Sequence, residues 1–256
     1  MRIAVFNQKG GVGKTTTVLN LAAAIARREG QPLLIDLDPQ AHLSSIQGSR
    51  PKDCGRSVFG FFQGTSPLDE LVVPWENIGR LIPAHQQLMK VDAILGKGPA
   101  VLNKLRNGLD DVDQSTPGNA AQSTLIDCCP YIGVLALNAI FACDLLLIPV
   151  STDYLSLQAA DQMTQTLRIL EPVLKRRVER RYLLTRYDRR RKMSQDIQEQ
   201  LRQRYGHEVC QTIIAENVAV AESPIRKQDV FRQNASSVGA RDYALLRDEL
   251  GEQSWL

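Results

Sequence analysis

Short apolar runs bounded by turn residues recur along the 256-residue chain at positions 2–6, 33–37, 78–82, 124–127, 145–150, 182–185 and 211–214. Their hydrophobicity is continuous rather than alternating, which suits strands buried on both faces of a parallel sheet. Between them the pattern changes to helical spacing. In the first such segment Val18, Leu21, Ala22 and Ile25 fall on one face, and Gly30 supplies a stop. Further helices are predicted over 155–177, 194–205 and 240–250. The alternation predicts an α/β fold, a doubly wound and mostly parallel sheet with helices on both faces. Residues 51–120 are the least legible stretch. There Gly96-Lys97-Gly98-Pro99 breaks any long helix, and Ser115-Thr116-Pro117-Gly118-Asn119 reads as a turn or flexible loop too short for a domain linker.

Directly behind Ile3-Ala4-Val5-Phe6, and ahead of the amphipathic helix, stands Lys9-Gly10-Gly11-Val12-Gly13-Lys14-Thr15-Thr16. Strand, glycine-rich loop and helix in that order predict a nucleotide-phosphate cradle, the signature of a P-loop NTPase. The glycines let backbone N–H groups turn inward as an anion nest while the helix dipole points at the same phosphates. Lys14 reaches the outer phosphates in this reading, and the Thr15 hydroxyl holds Mg²⁺. Asp36-Leu37-Asp38-Pro39-Gln40 then places two acids at the carboxyl end of the second strand, where open α/β sheets bind ligands. If the strand persists that far, both acids face the same side. Asp127, closing Leu125-Ile126-Asp127, has the form of a Walker B acid that holds Mg²⁺ through water. Phosphoryl transfer needs positioning and charge neutralisation rather than a covalent nucleophile, and these residue types supply both.

Composition adds limits. A 43% hydrophobic content at this length supports one domain over residues 1–256. The first strand begins at residue 2, so no signal or transit segment is expected, and the longest apolar run, 145–150, is too short for a bilayer. Five cysteines without metal-ligand spacing argue for reduced thiols in the cytoplasm, with Cys128 and Cys129 as core filler. Three scattered histidines support neither a zinc site nor a histidine-based nucleophile. The net charge of +3 is uneven: residues 168–192 hold 11 Lys/Arg against 3 Asp/Glu, and the rest of the chain 20 against 25. Such a block is the footprint of a polyanion partner, although a charge run on its own is ordinarily a solvated face.

The loop departs from the ordinary Walker A in having Gln8 where a glycine is usual, followed by a second lysine, Lys9. In this it resembles the deviant Walker A of the ParA/MinD ATPases. The resemblance implies that Lys9 crosses a dimer interface to the partner's nucleotide, that ATP and Mg²⁺ build a homodimer, and that Asp38 positions the attacking water. Asp36 takes a supporting part near Thr15 and the metal. Where the family usually continues Asp-x-Pro-Pro, this chain reads Asp127-Cys128-Cys129-Pro130. Asn217, Glu222, Pro224, Ser237, Ala240 and Tyr243 also fall where the ParA pattern puts them, so the likeness spans nearly the whole chain.

The resemblance further implies nonspecific DNA binding through Arg190, flanked by Arg189, Arg191 and Lys192, in a cytoplasmic, nucleoid-associated protein. It implies a ParB-like or cargo-adaptor partner that stimulates slow hydrolysis and moves a plasmid, a chromosome or a protein assembly. A second basic position is lost, since relatives tend to read Ile-Pro-Arg-Asn-Val-Arg where this chain has Ile214-Ala215-Glu216-Asn217-Val218-Ala219. Arg226, Lys227, Arg232 and Arg241 are the candidates to replace it. No helix-turn-helix domain is expected ahead of the loop. Two alternatives share the scaffold: a MinD-like membrane ATPase, disfavoured by the acidic, glycine-containing end 250–256, and a reductase-type or amidotransferase-type metabolic ATPase.

Overall fold

The computed structural model describes residues 1–28, 30–96, 98–115 and 123–256. Most of the turn expected at 115–119, and Lys97 of the helix-breaking stretch, lie outside the described residues. Eight strands, β1 (Arg2–Val5), β2 (Leu33–Asp36), β3 (Val73–Trp75), β4 (Gly79–Ile82), β5 (Thr124–Asp127), β6 (Leu145–Ser151), β7 (Glu179–Tyr187) and β8 (Val209–Ala215), form one sheet in the order β3-β4-β2-β5-β1-β6-β7-β8. All neighbours run parallel except β3 and β4.

The helices are α1 (Lys14–Ala26), α2 (His42–Gln47), α3 (Val58–Gln63), α4 (Val91–Leu95), α5 (Pro99–Leu102), α6 (Lys104–Ser115), α7 (Val134–Ala142), α8 (Tyr154–Leu174), α9 (Lys192–Tyr205), α10 (Val218–Glu222), α11 (Val230–Asn234) and α12 (Val238–Glu252). Continuous apolar strands find partners on both faces. On β1, Ile3 and Val5 pack with α1 and α12, whereas Ala4, and Phe6 just past the strand, join the opposite core with residues of α7 and α8. Each such large aliphatic side chain removed from water contributes roughly 1.5–3 kcal/mol, so both layers are strongly held to the sheet.

All seven apolar runs are strands, 124–127 with the expected bounds and the other six with shifted ends. β2 stops at Asp36, so Asp38 does not continue the strand. The unforeseen β3 carries Pro74 at the sheet edge, the position where a residue without an N–H is tolerated. Glu179 begins β7 ahead of its apolar run, and this breaks up the basic block. Arg180 is only 5% exposed and pairs with Glu171 and Glu208. Arg176 donates to Ile140 O, Phe141 O and Cys143 O at 3.4, 3.4 and 2.7 Å, capping the carbonyl end of α7. Part of the positive charge of 168–192 is therefore structural, and Arg189 to Lys192 stay exposed at the turn between β7 and α9.

Candidate active site

The phosphate loop leaves the carboxyl end of β1 and enters α1 at Gly13. Gly11 and Gly13 have φ of 75° and 89°, a conformation costly for any residue with a Cβ, and a Cβ at Gly10, Gly11 or Gly13 meets no atom within 4 Å. The glycines thus supply backbone shape and leave room beside the loop. Val12, fully buried, anchors the loop, and its carbonyl accepts from Thr185 Oγ1 of β7 at 2.9 Å. Alongside lies a cavity of about 650 Å³ whose walls include Lys14, Thr15, Thr16, Asp38, Met89 and Tyr131.

Lys9 and Lys14 share this loop and diverge. Lys14 is 8% exposed, with Nζ donating to the Lys9 carbonyl at 2.8 Å. Burial lowers its pKa, opposed by the nearby charge of Asp127. Lys9 turns the other way: Nζ lies 2.5 Å from Asp153 Oδ1 and 2.9 Å from Ser156 Oγ. Its own N–H donates to Asn7 Oδ1, while Asn7 Nδ2 donates to Pro149 O.

Parallel register sets Asp36 of β2 directly beside Asp127 of β5, and both are fully buried. The Asp36 carboxylate accepts from Asp38 N at 3.1 Å, Ser44 N at 2.9 Å and Ser44 Oγ at 2.6 Å. It therefore ties the 38–44 segment to the sheet. Burial pushes Asp36 up to about 6 against the pull of these hydrogen bonds. Both Asp127 oxygens are buried without a geometrically satisfactory hydrogen-bond partner. Burial first, and then the facing Asp36, raise Asp127 well above the usual carboxylate range, while Thr15 and Lys14 favour its charge. A buried, unsatisfied carboxylate beside a threonine hydroxyl and an open phosphate cavity fits a divalent cation. Mg²⁺ usually takes one or two carboxylates plus phosphates and water, which this donor set allows.

Asp38 reaches the cavity by a turn rather than along a strand. Gln40 N donates to Asp38 Oδ1 at 2.9 Å and Ala41 N to Asp38 O at 2.8 Å. Ala41 is held in the left-handed region at φ 53°, so this segment stores local strain. Cys128 and Cys129 are 1% and 0% exposed, and burial pushes the Cys129 thiol up to about 12. They pack, as core filler does.

Asn7, Ser156 and Asp153 escaped the reading of the sequence, and Thr185 was read only as the end of a strand. Asp153 left a trace there, as the N-cap that accepts from Ser156 N just ahead of α8.

An AAA domain family model matches residues 1–180. The chromosome-partitioning ATPase Soj of Thermus thermophilus is 36% identical over 250 residues, covering 97% of this chain and 94% of Soj. Chromosome partitioning protein ParA of Caulobacter vibrioides is 32% identical over 97% of this chain and 92% of its own. Cobyrinic acid a,c-diamide synthase from Mycobacterium smegmatis, solved with an ATP analogue and magnesium, is similar at 27% identity and a TM-score of 0.84, covering 99% of this chain and 95% of that one. Together with a doubly wound sheet carrying Lys9, Lys14, Asp36, Asp38 and Asp127 at its carboxyl edge, these similarities place the chain in the ParA/Soj family of partitioning P-loop ATPases.

Proposed function

We propose that the chain acts as a single unit over residues 1–256 that pairs with a second copy when ATP and Mg²⁺ bind, and that the pair holds DNA without sequence preference. A ParB-like or cargo-adaptor partner then stimulates slow hydrolysis and ends the cycle, which positions a plasmid, chromosome or protein assembly on the nucleoid of the cytoplasm. The divergence of the two lysines carries this reading. Lys14 is buried in the wall of the cavity of its own chain, whereas Lys9 is part-exposed and held away from that cavity by Asp153 and Ser156, where a second chain can take it up.

In the proposed cycle the loop N–H groups and Lys14 bind and orient the outer phosphates. Thr15 and Asp127 would hold Mg²⁺, with Asp36 in support through the 38–44 segment, and the ion would supply charge neutralisation at the phosphates that Lys14 and the loop orient. Asp38, on the cavity wall, orients water for in-line attack. Exposed Met89, Tyr131, Ile132, Tyr154 and Leu155 give the same face apolar area for pairing.

No helix among the described residues is long and apolar enough to cross a membrane. The buried Cys128 and Cys129 are poorly placed to bridge an iron–sulfur cluster between subunits. The test is fluorescence anisotropy on random-sequence duplex DNA: binding with Mg²⁺ and a slowly hydrolysed ATP analogue, and none with ADP, is expected. Equal binding without nucleotide contradicts the switch.

A further inference from the structure

A groove of about 810 Å³ opens at the carboxyl ends of β7 and β8. The 188–191 turn forms one wall, Glu216 and Asn217 lie beside it, and Arg241 at the start of α12 stands in the other wall. Arg189, Arg190, Arg191 and Arg241 are all exposed. Asp242 is 8% exposed and accepts from Ala215 N at 2.9 Å. Burial raises its pKa, and Arg241 and Arg189 pull it back.

Two cations of this groove, and Arg186 beside it, are ion-paired. Arg190 makes a two-pronged contact with Asp188, Nε to Oδ1 at 3.0 Å and Nη2 to Oδ2 at 2.9 Å, and Arg191 Nε lies 3.4 Å from Asp188 Oδ2. Arg186 faces Glu216 in the same manner, at 3.1 and 3.5 Å. A guanidinium fork grips a carboxylate with the geometry it uses for a phosphate. The acids thus occupy guanidinium forks that also fit a phosphodiester.

We propose that this groove seats the DNA backbone, that Arg241 supplies the cation opposite the 189–191 turn, and that Asp188 and Glu216 are built-in stand-ins for phosphate that DNA must displace. The proposal rests on the DNA-binding reading above and goes further, because it assigns a second wall and a brake on affinity. Glu216, which lines the groove and engages Arg186, becomes the residue that keeps the grip weak. Weak binding suits a protein that must leave DNA after each cycle.

The experiment is anisotropy on random-sequence duplex over a salt series, using the full chain with Mg²⁺ and a slowly hydrolysed ATP analogue. Asp188→Asn keeps an acceptor for Arg190 N–H, so the turn survives while the charge is lost. Asp188→Asn and Glu216→Gln are each expected to tighten binding about two- to fivefold, the range of an exposed ion pair. Arg241→Glu is expected to weaken binding tenfold or more, and the milder Arg241→Gln to flatten the salt slope by about 1. Light scattering on each variant reports retained pairing and so a retained fold. If the wild type binds and these variants match it, the proposal fails while the DNA reading stands. If the wild type binds no DNA in any nucleotide state, both fail.

Discussion

Lys9 Nζ lies 2.5 Å from Asp153 Oδ1, an ion pair made within one chain by the lysine that the family resemblance assigns to a partner's nucleotide. Burial works against the Asp153 charge, but hydrogen bonds from Lys9, Ser151 and Ser156 outweigh it and hold the carboxyl at about 2. Donation of Lys9 across an interface exchanges this contact for a phosphate. Asp153→Asn preserves the α8 cap and removes the charge. Pairing with an ATP analogue should then occur at protein concentrations lower by about two- to fivefold, the range for a part-exposed pair. Sedimentation equilibrium measures this, and weaker pairing in the variant means that Asp153 positions Lys9 rather than storing it.

The same segment touches the arginine turn. Thr152 Oγ1 donates to Arg186 O at 3.0 Å and accepts from Ser194 Oγ at 3.2 Å. One residue from Asp153, Thr152 thus bridges β7 and α9 across the arginine turn. Thr152→Val keeps the shape and deletes the relay. The gap in DNA affinity between ATP-analogue and ADP states should shrink several-fold, with nucleotide affinity itself unchanged. A gap as wide as the wild type's removes Thr152 from the coupling.

Asp36 and Asp127 give the protein a pH dependence with a definite sign. Carboxyls raised in the folded state bind protons more tightly there than in the unfolded chain. Their contribution to stability is full below the ordinary value of 3.8 and is lost as pH rises from there, through about 6 for Asp36 and through a value well above the ordinary one for Asp127. The thermal midpoint of the nucleotide-free protein should fall across that window. Affinity for Mg²⁺ with nucleotide should rise across the same window, as the proton gives way to the cation. Asp127→Asn should flatten both trends, stabilise the ligand-free fold by about 1–3 kcal/mol and abolish Mg²⁺-dependent hydrolysis. Calorimetry across pH checks the first part and phosphate release the second.

Asp38 and Lys14 separate hydrolysis from binding. Removing a group that orients the attacking water costs about 10²–10⁴ in rate, so Asp38→Ala should hold ATP, pair and stay on DNA. Lys14→Ala should lose nucleotide altogether. Single-turnover phosphate release together with filter binding distinguishes the two, and normal turnover in Asp38→Ala excludes the water-positioning role.

The sheet was legible because β1, β2, β5 and β6 are short apolar runs ending in turn or acidic residues, with both faces covered. The phosphate loop was legible because its chemistry is contiguous. Beyond that, legibility failed wherever a residue's role depends on something distant in sequence. Asp153 lies 144 positions from Lys9, and Thr185 lies 173 from Val12, so no local pattern announces either contact. Arg176 and Arg180 look like surface charge until the fold shows one capping α7 and the other buried between Glu171 and Glu208. Pro74 hid β3, because a proline in an apolar run reads against a strand unless the edge position is known.

Sedimentation velocity on the wild type and on Lys9→Ala, at saturating Mg²⁺ and non-hydrolysable ATP analogue, tests the central claim most directly. The wild type should sediment as a dimer and the variant as a monomer that still binds nucleotide. A monomeric wild type under these conditions, or a variant that pairs as well as the wild type, contradicts the account.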